Sequence, residues 1–125
     1  MNTVVVDASA LVAVVFQEPG FERIVERLDG ATVCAPTLLK YELANVAATR
    51  SRRQPGDAPK FVAAIAAALD DRADIHWHDV NATDVGLLAI ATGTTAYDAS
   101  YLWLAGSLGA DLVTLDKGLM KVVEE

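Results

Sequence analysis

The stretch Thr3-Val4-Val5-Val6-Asp7-Ala8-Ser9-Ala10-Leu11 decides how the rest of the chain is read. Its β-branched run favours an extended, buried strand, and Asp7 ends that run. Apolar residues then recur at helical spacing from Ala8 to Phe16, until Pro19-Gly20 interrupts them. Helix follows strand directly. That is the repeating unit of a doubly wound α/β domain, in which the carboxyl ends of the strands frame the ligand crevice. An acid placed immediately after such a strand points into the crevice.

The same alternation continues along the chain. Phe21, Ile24, Val25 and Leu28 recur at threes and fours and predict a second helix ending near Gly30, before a short strand from Thr32 to Ala35. Pro36 is expected near the first turn of a helix from about Thr37 to Arg53, which the Pro55-Gly56 turn ends. Asp57 to Asp71 reads as an alanine-rich helix packed by Phe61, Ile65 and Leu69, and Ile75 and Trp77 alternate with His76 and His78 in a third strand. Two further helices, Asn81 to Ala91 and Ala96 to Leu108, precede a strand from Asp111 to Leu115. The final residues read as a short helix or an edge strand. The fold class expected is therefore α/β: a mostly parallel central sheet with helices on both faces and right-handed crossovers. There are no repeats or low-complexity tracts.

At 125 residues the chain supports one domain, residues 1–125, with a core large enough for a five-element sheet between helices. Hydrophobic residues make up 53% of it, which excludes a disordered chain. The longest apolar stretches, Ala8 to Phe16 and Phe61 to Leu69, fall short of the roughly 20 residues that span a bilayer, so no membrane helix is expected. Met1-Asn2-Thr3 lacks the basic region of a signal peptide, and the lone Cys34 reads as a small buried hydrophobe, so a reducing cytoplasm is the expected compartment. A net charge of −7 argues against a broadly basic nucleic-acid-binding surface. Arg50, Arg52, Arg53 and Lys60 nevertheless cluster around Gln54-Pro55-Gly56. They read either as a helix C-terminus whose cations offset the macrodipole or as a rim that guides phosphates.

Four acids stand out: Asp7, Glu42, Asp98 and Asp116. Asp7 and Asp116 each end a hydrophobic run, and each is also placed to cap the helix that follows. Thr95-Ala96-Tyr97-Asp98 has the spacing of a capping box, yet Asp98 also heads the apolar stripe of Tyr101, Leu102, Ala105 and Leu108 and is expected to face inward. Glu42 stands between Leu39 and Val46, with no Lys or Arg three or four residues away on either side, which sets it apart from an ordinary surface glutamate. Carboxylates gathered without cations repel one another or take up protons, so four of them favour a hard divalent ion such as magnesium or manganese. His76 and His78 lack a third ligand nearby and are expected to face solvent.

The segments Val4-Val5-Val6-Asp7-Ala8-Ser9-Ala10-Leu11, Tyr41-Glu42-Leu43-Ala44-Asn45-Val46, Tyr97-Asp98-Ala99-Ser100-Tyr101-Leu102 and Leu112-Val113-Thr114-Leu115-Asp116 resemble, in order and spacing, the PIN-domain ribonucleases, and in compact length the VapC-type toxins of toxin–antitoxin systems. The resemblance covers nearly the whole chain. It implies a metal-dependent endoribonuclease in which Asp7, Glu42, Asp98 and Asp116 hold Mg2+ or Mn2+, with Ser9 and Thr114 supporting them through hydrogen bonds. It also implies an RNA substrate, a cognate antitoxin whose C-terminal segment covers the site, and a homodimer.

Other classes compete. A phosphoryl-receiver domain also uses acids at strand ends, but usually has paired acids after the first strand, where Val6 precedes Asp7 here. A phosphatase of the haloacid dehalogenase type wants a second aspartate where Ser9 stands. A catalytically idle binding module leaves the four acids unexplained.

Overall fold

Val4, Val5 and Val6 are each at most 1% exposed in the computed structural model, which describes residues 2–124. Successive strand side chains point to opposite faces, so three buried in a row require cover on both faces of the sheet. The strand they form, β1 (Thr3–Val6), is followed by α1 (Ala8–Val15), α2 (Phe21–Leu28), β2 (Thr32–Pro36), α3 (Leu38–Arg53), α4 (Ala58–Leu69), β3 (Ile75–His78), α5 (Ala82–Thr92), α6 (Ala96–Leu108), β4 (Asp111–Val113) and α7 (Lys117–Glu124). The four strands make one sheet in the order β3-β2-β1-β4, every pairing parallel.

That order reverses once. The chain steps outward from β1 to β2 and β3, then returns to lay β4 against the other edge of β1, with Val6 opposite Val113. The gap between β1 and β4 is thus the switch point of the sheet, where ligand crevices of parallel α/β domains open. Helix α6 packs across β1, β2 and β4 and buries Ala99, Tyr101 and Leu104. Leu39 and Leu43 of α3 join the same core. Burying one such leucine stabilises the fold by roughly 1.5–3 kcal/mol. At the far end of α1, the rings of Phe16 and Phe61 meet edge to face, their centroids 5.8 Å apart, tying α1 to α4.

Several details depart from the sequence reading. The sheet has four strands where five elements were allowed for. Pro36 closes β2 and pairs with His78 across β3, so α3 starts two residues later; at the end of a strand the missing N–H costs little. β4 stops at Val113, short of Leu115, because the N–H of Leu115 donates to the Ser9 hydroxyl and leaves the ladder. The helix predicted from Asp57 is flanked by 3-10 turns at Pro55–Asp57 and Asp71–Ala73, and the final residues are helical. Cys34 is buried, as expected. His76, on the edge strand β3, is exposed, and His78 is half-buried.

Candidate functional site

Asp7 is 3% exposed although it lies beyond the end of β1. It caps α1, its Oδ1 accepting the N–H of Ala10 at 3.0 Å. The same oxygen accepts the Ser9 hydroxyl at 2.7 Å, and Oδ2 accepts the Thr114 hydroxyl. Each hydroxyl is in turn an acceptor: Ser9 Oγ for the N–H of Leu115 and Thr114 Oγ1 for the N–H of Asp116, both at 2.9 Å. Two relays thus run from the backbone after β4 to the two oxygens of Asp7, and they fix where that backbone lies. Asp116 then caps α7, its Oδ1 accepting the N–H of Leu119 at 3.0 Å. Thr114→Val, which keeps the shape and removes the hydroxyl, leaves both Asp7 Oδ2 and the Asp116 N–H without this partner. A loss of about 1–3 kcal/mol in urea unfolding is expected, with Thr114→Ser close to the wild type.

Glu42, half-buried on α3, accepts a hydrogen bond from the phenol of Tyr101 on α6. Burial raises its pKa, the Tyr101 bond opposes the rise, and the charges of Asp7 and Asp98 add to it. Asp98 is half-buried at the start of α6, where its own N–H donates to the capping Thr95 hydroxyl at 3.1 Å. Among the described residues its carboxylate accepts no hydrogen bond, so the returning half of a capping box is missing. Burial raises the Asp98 pKa, and the charges of Asp116 and Asp7 raise it further. Burial likewise dominates at Asp7, where the bonds from Thr114, Ala10 and Ser9 work against it and the charge of Asp116 works with it. The Tyr101 phenol is held far above its ordinary range by burial and by Glu42, and so stays a donor.

Asp7, Glu42 and Asp98 therefore each feel the charge of at least one other acid, across the switch point between β1 and β4. No cation offsets them: the ion pairs among the described residues are Arg50–Glu18, Arg72–Asp70 and the exposed His76–Asp74 contact. Mutually repelling carboxylates without a basic partner fit a hard divalent cation by donor chemistry. Among the described residues, however, no three acids, histidines or cysteines are drawn close enough to ligate one ion as they stand. The four acids share one electrostatic neighbourhood, and a ligand shell requires them to close up.

The PIN domain family model matches residues 4–125. The chain belongs to the PIN domain family. Among solved structures this PIN domain is similar to PAE2754 from Pyrobaculum aerophilum, with a TM-score of 0.77 and 26% identity over 97% of this chain and 86% of that one. It shares its fold with Mycobacterium tuberculosis VapC20, a Sarcin-Ricin loop cleaving toxin, at a TM-score of 0.66 and 16% identity over 94% of this chain and 93% of that one. The comparison with curated proteins gives no match.

The basic cluster around Gln54-Pro55-Gly56 is set back from Glu42 along α3. Arg50 is eight positions beyond Glu42 on α3, about 12 Å along the helix. It is already engaged, paired with Glu18 at 3.0 Å and with its guanidinium 4.3 Å from the Phe16 ring centroid. Arg52, Arg53 and Lys60 are exposed. Tyr101 is the site residue that sequence reasoning missed, having been read only as part of an apolar stripe. Its signal was a polar tip one turn after Asp98 on that stripe, since a buried tyrosine hydroxyl needs a partner.

Proposed function

We propose that this PIN domain, over residues 1–125, is a divalent-metal-dependent endoribonuclease of the VapC type, the toxin of a cytoplasmic type II toxin–antitoxin pair. The observation that carries the reading is the set of four carboxylates without a basic partner at the switch point, in a chain of the PIN family. Asp7, Glu42, Asp98 and Asp116 would hold Mg2+ or Mn2+. When bound, such an ion supplies charge neutralisation at a scissile phosphate and acidifies water for attack.

The chain's own residues do the rest. Asp7 is held in one orientation by three donors, and Ser9 and Thr114 keep it there while setting the backbone that carries Asp116. Tyr101 fixes the Glu42 carboxylate. The Asp98 carboxylate accepts no hydrogen bond among the described residues, which leaves its oxygens open to a ligand. Such an acidic centre also suits a cationic residue from an antitoxin tail, and a homodimer belongs to the same reading.

Incubating the purified chain with RNA, with Mg2+ or Mn2+ and with chelator, tests the proposal. Cleavage only with metal supports it, and intact RNA under every metal condition returns the chain to the idle binding module. Arg52, Arg53 and Lys60 are proposed to guide RNA, with Arg50 restrained by Glu18. Replacing Arg52 and Arg53 together by alanine should weaken RNA binding and lower the slope of log affinity against log salt by about 1.4, two charges at roughly 0.7 each for a single strand. The rate at saturating RNA should hardly change. An unaltered slope would mean that these arginines only offset the dipole at the end of α3.

A further inference from the structure

Beside the carboxylates runs a groove of about 350 Å³ whose walls include Ala8, Leu38, Tyr41, Glu42, Asn45 and Tyr97. Tyr41 and Tyr97 are 73% and 65% exposed. They are the aromatic members among the large exposed hydrophobic side chains of the described residues; the others, such as Val25, Val62, Leu87 and Ile90, are aliphatic and do not line this groove. Each of the two tyrosines immediately precedes one of the four acids, Tyr41 before Glu42 and Tyr97 before Asp98. The third tyrosine, Tyr101, is buried against Glu42. All three tyrosines of the chain are thus gathered around one end of the sheet.

An aromatic ring left in water forgoes a large burial gain, and the fold obtains nothing from these two. The groove selects its occupant by charge and shape. No Lys or Arg lines it, so it is not a seat for phosphate, and Glu42 in its wall repels an acidic group. The two exposed tyrosine rings suit a flat group, joined to something the carboxylate centre handles. A nucleobase next to a phosphodiester has that description. Asn45, exposed one turn beyond Tyr41, carries both a donor and an acceptor for the edge of a base. We infer that this groove receives a base of single-stranded RNA, stacked on Tyr41 and Tyr97, while the adjoining phosphate lies at the carboxylates. The inference rests on the ribonuclease reading above. Stacking tolerates any base, so the groove would set where the strand lies, with Asn45 adding a preference among bases.

The test compares a short single-stranded RNA with an abasic strand of the same length, in Mg2+, bound to the Asp7→Asn chain so that the strand stays intact. The base-bearing strand is expected to bind about tenfold or more tightly than the abasic one. Adding Tyr41→Ala and Tyr97→Ala should bring that ratio close to one without altering the salt slope, and adding Tyr41→Phe and Tyr97→Phe should preserve it. Circular dichroism checks folding, which exposed side chains should not disturb. If wild-type protein cleaves RNA but the ratio survives the alanine pair, or is lost with the phenylalanine pair, the groove does not stack bases and this inference alone falls. A side chain of a protein partner would then be its occupant. If wild-type protein neither binds nor cleaves RNA, the ribonuclease reading falls and takes the inference with it.

Discussion

Asp7→Asn is expected to abolish metal-dependent RNA cleavage, by more than the 10–100-fold that losing an outer partner of a metal ligand costs, while the folded chain gains stability in metal-free buffer. Asparagine caps a helix as well as aspartate does. Its carbonyl oxygen can keep the Ala10 N–H and the Ser9 hydroxyl, and its NH2 can donate to Thr114 Oγ1, so every partner of the wild-type carboxylate is retained. Only the charge is lost. Because burial raises the Asp7 pKa in the folded state, the folded chain holds that proton more tightly than the unfolded chain. The stability linked to this group is fully present below the unfolded pKa and is lost as pH rises through the folded pKa. Without metal, the advantage of Asp7→Asn over the wild type should therefore be small in acid and grow across that window. Melting temperatures at a series of pH values read this directly. Wild-type cleavage by the folded variant would remove Asp7 from the chemistry.

Divalent ions should have the second-largest effect, raising the melting temperature of the wild type. An ion that binds the folded cluster and not the scattered acids of the unfolded chain adds about 2.7 kcal/mol at a hundred times its dissociation constant. For a domain of this size that is about 10 °C. Asp116→Asn should show a smaller gain. Its comparison with the wild type is clean because asparagine can still accept the Leu119 N–H that Asp116 Oδ1 accepts at 3.0 Å, so α7 keeps its cap. Calorimetry across a metal titration decides the matter: equal gains at every concentration would make Asp116 a cap and nothing more.

Capping and a place at the crevice are alternatives when Asp7 and Asp116 are read from sequence, and the structure combines them. Both acids cap helices, and both stand at the switch point. The strand positions were legible because β-branched runs bounded by acids or glycines leave little freedom of assignment. Glu42 was legible by what its neighbours lacked. Its tie to Tyr101 was not, because the two residues lie 59 positions apart and no local pattern joins them. The same limit hid the pairing of Arg50 with Glu18, 32 positions away, which restrains the residue that local composition grouped with Arg52 and Arg53. The early end of β4 follows from Ser9, 106 positions before the Leu115 N–H it accepts. Periodicity reports which way a segment faces. It carries no information on which distant side chain will outbid a backbone partner.

The return of β4 to the edge of β1 has a consequence for the order of synthesis. Asp7 is made 107 residues before Thr114, which holds one of its oxygens, and Asp116 follows two residues after that. Domains emerge from the ribosome amino end first, so a growing chain carries Asp7, Glu42 and Asp98 but cannot assemble all four carboxylates until the segment from β4 to Asp116 is free to dock. For the ribonuclease proposed above this is a built-in delay. Until that segment has emerged, the centre is incomplete beside the ribosome, itself largely RNA.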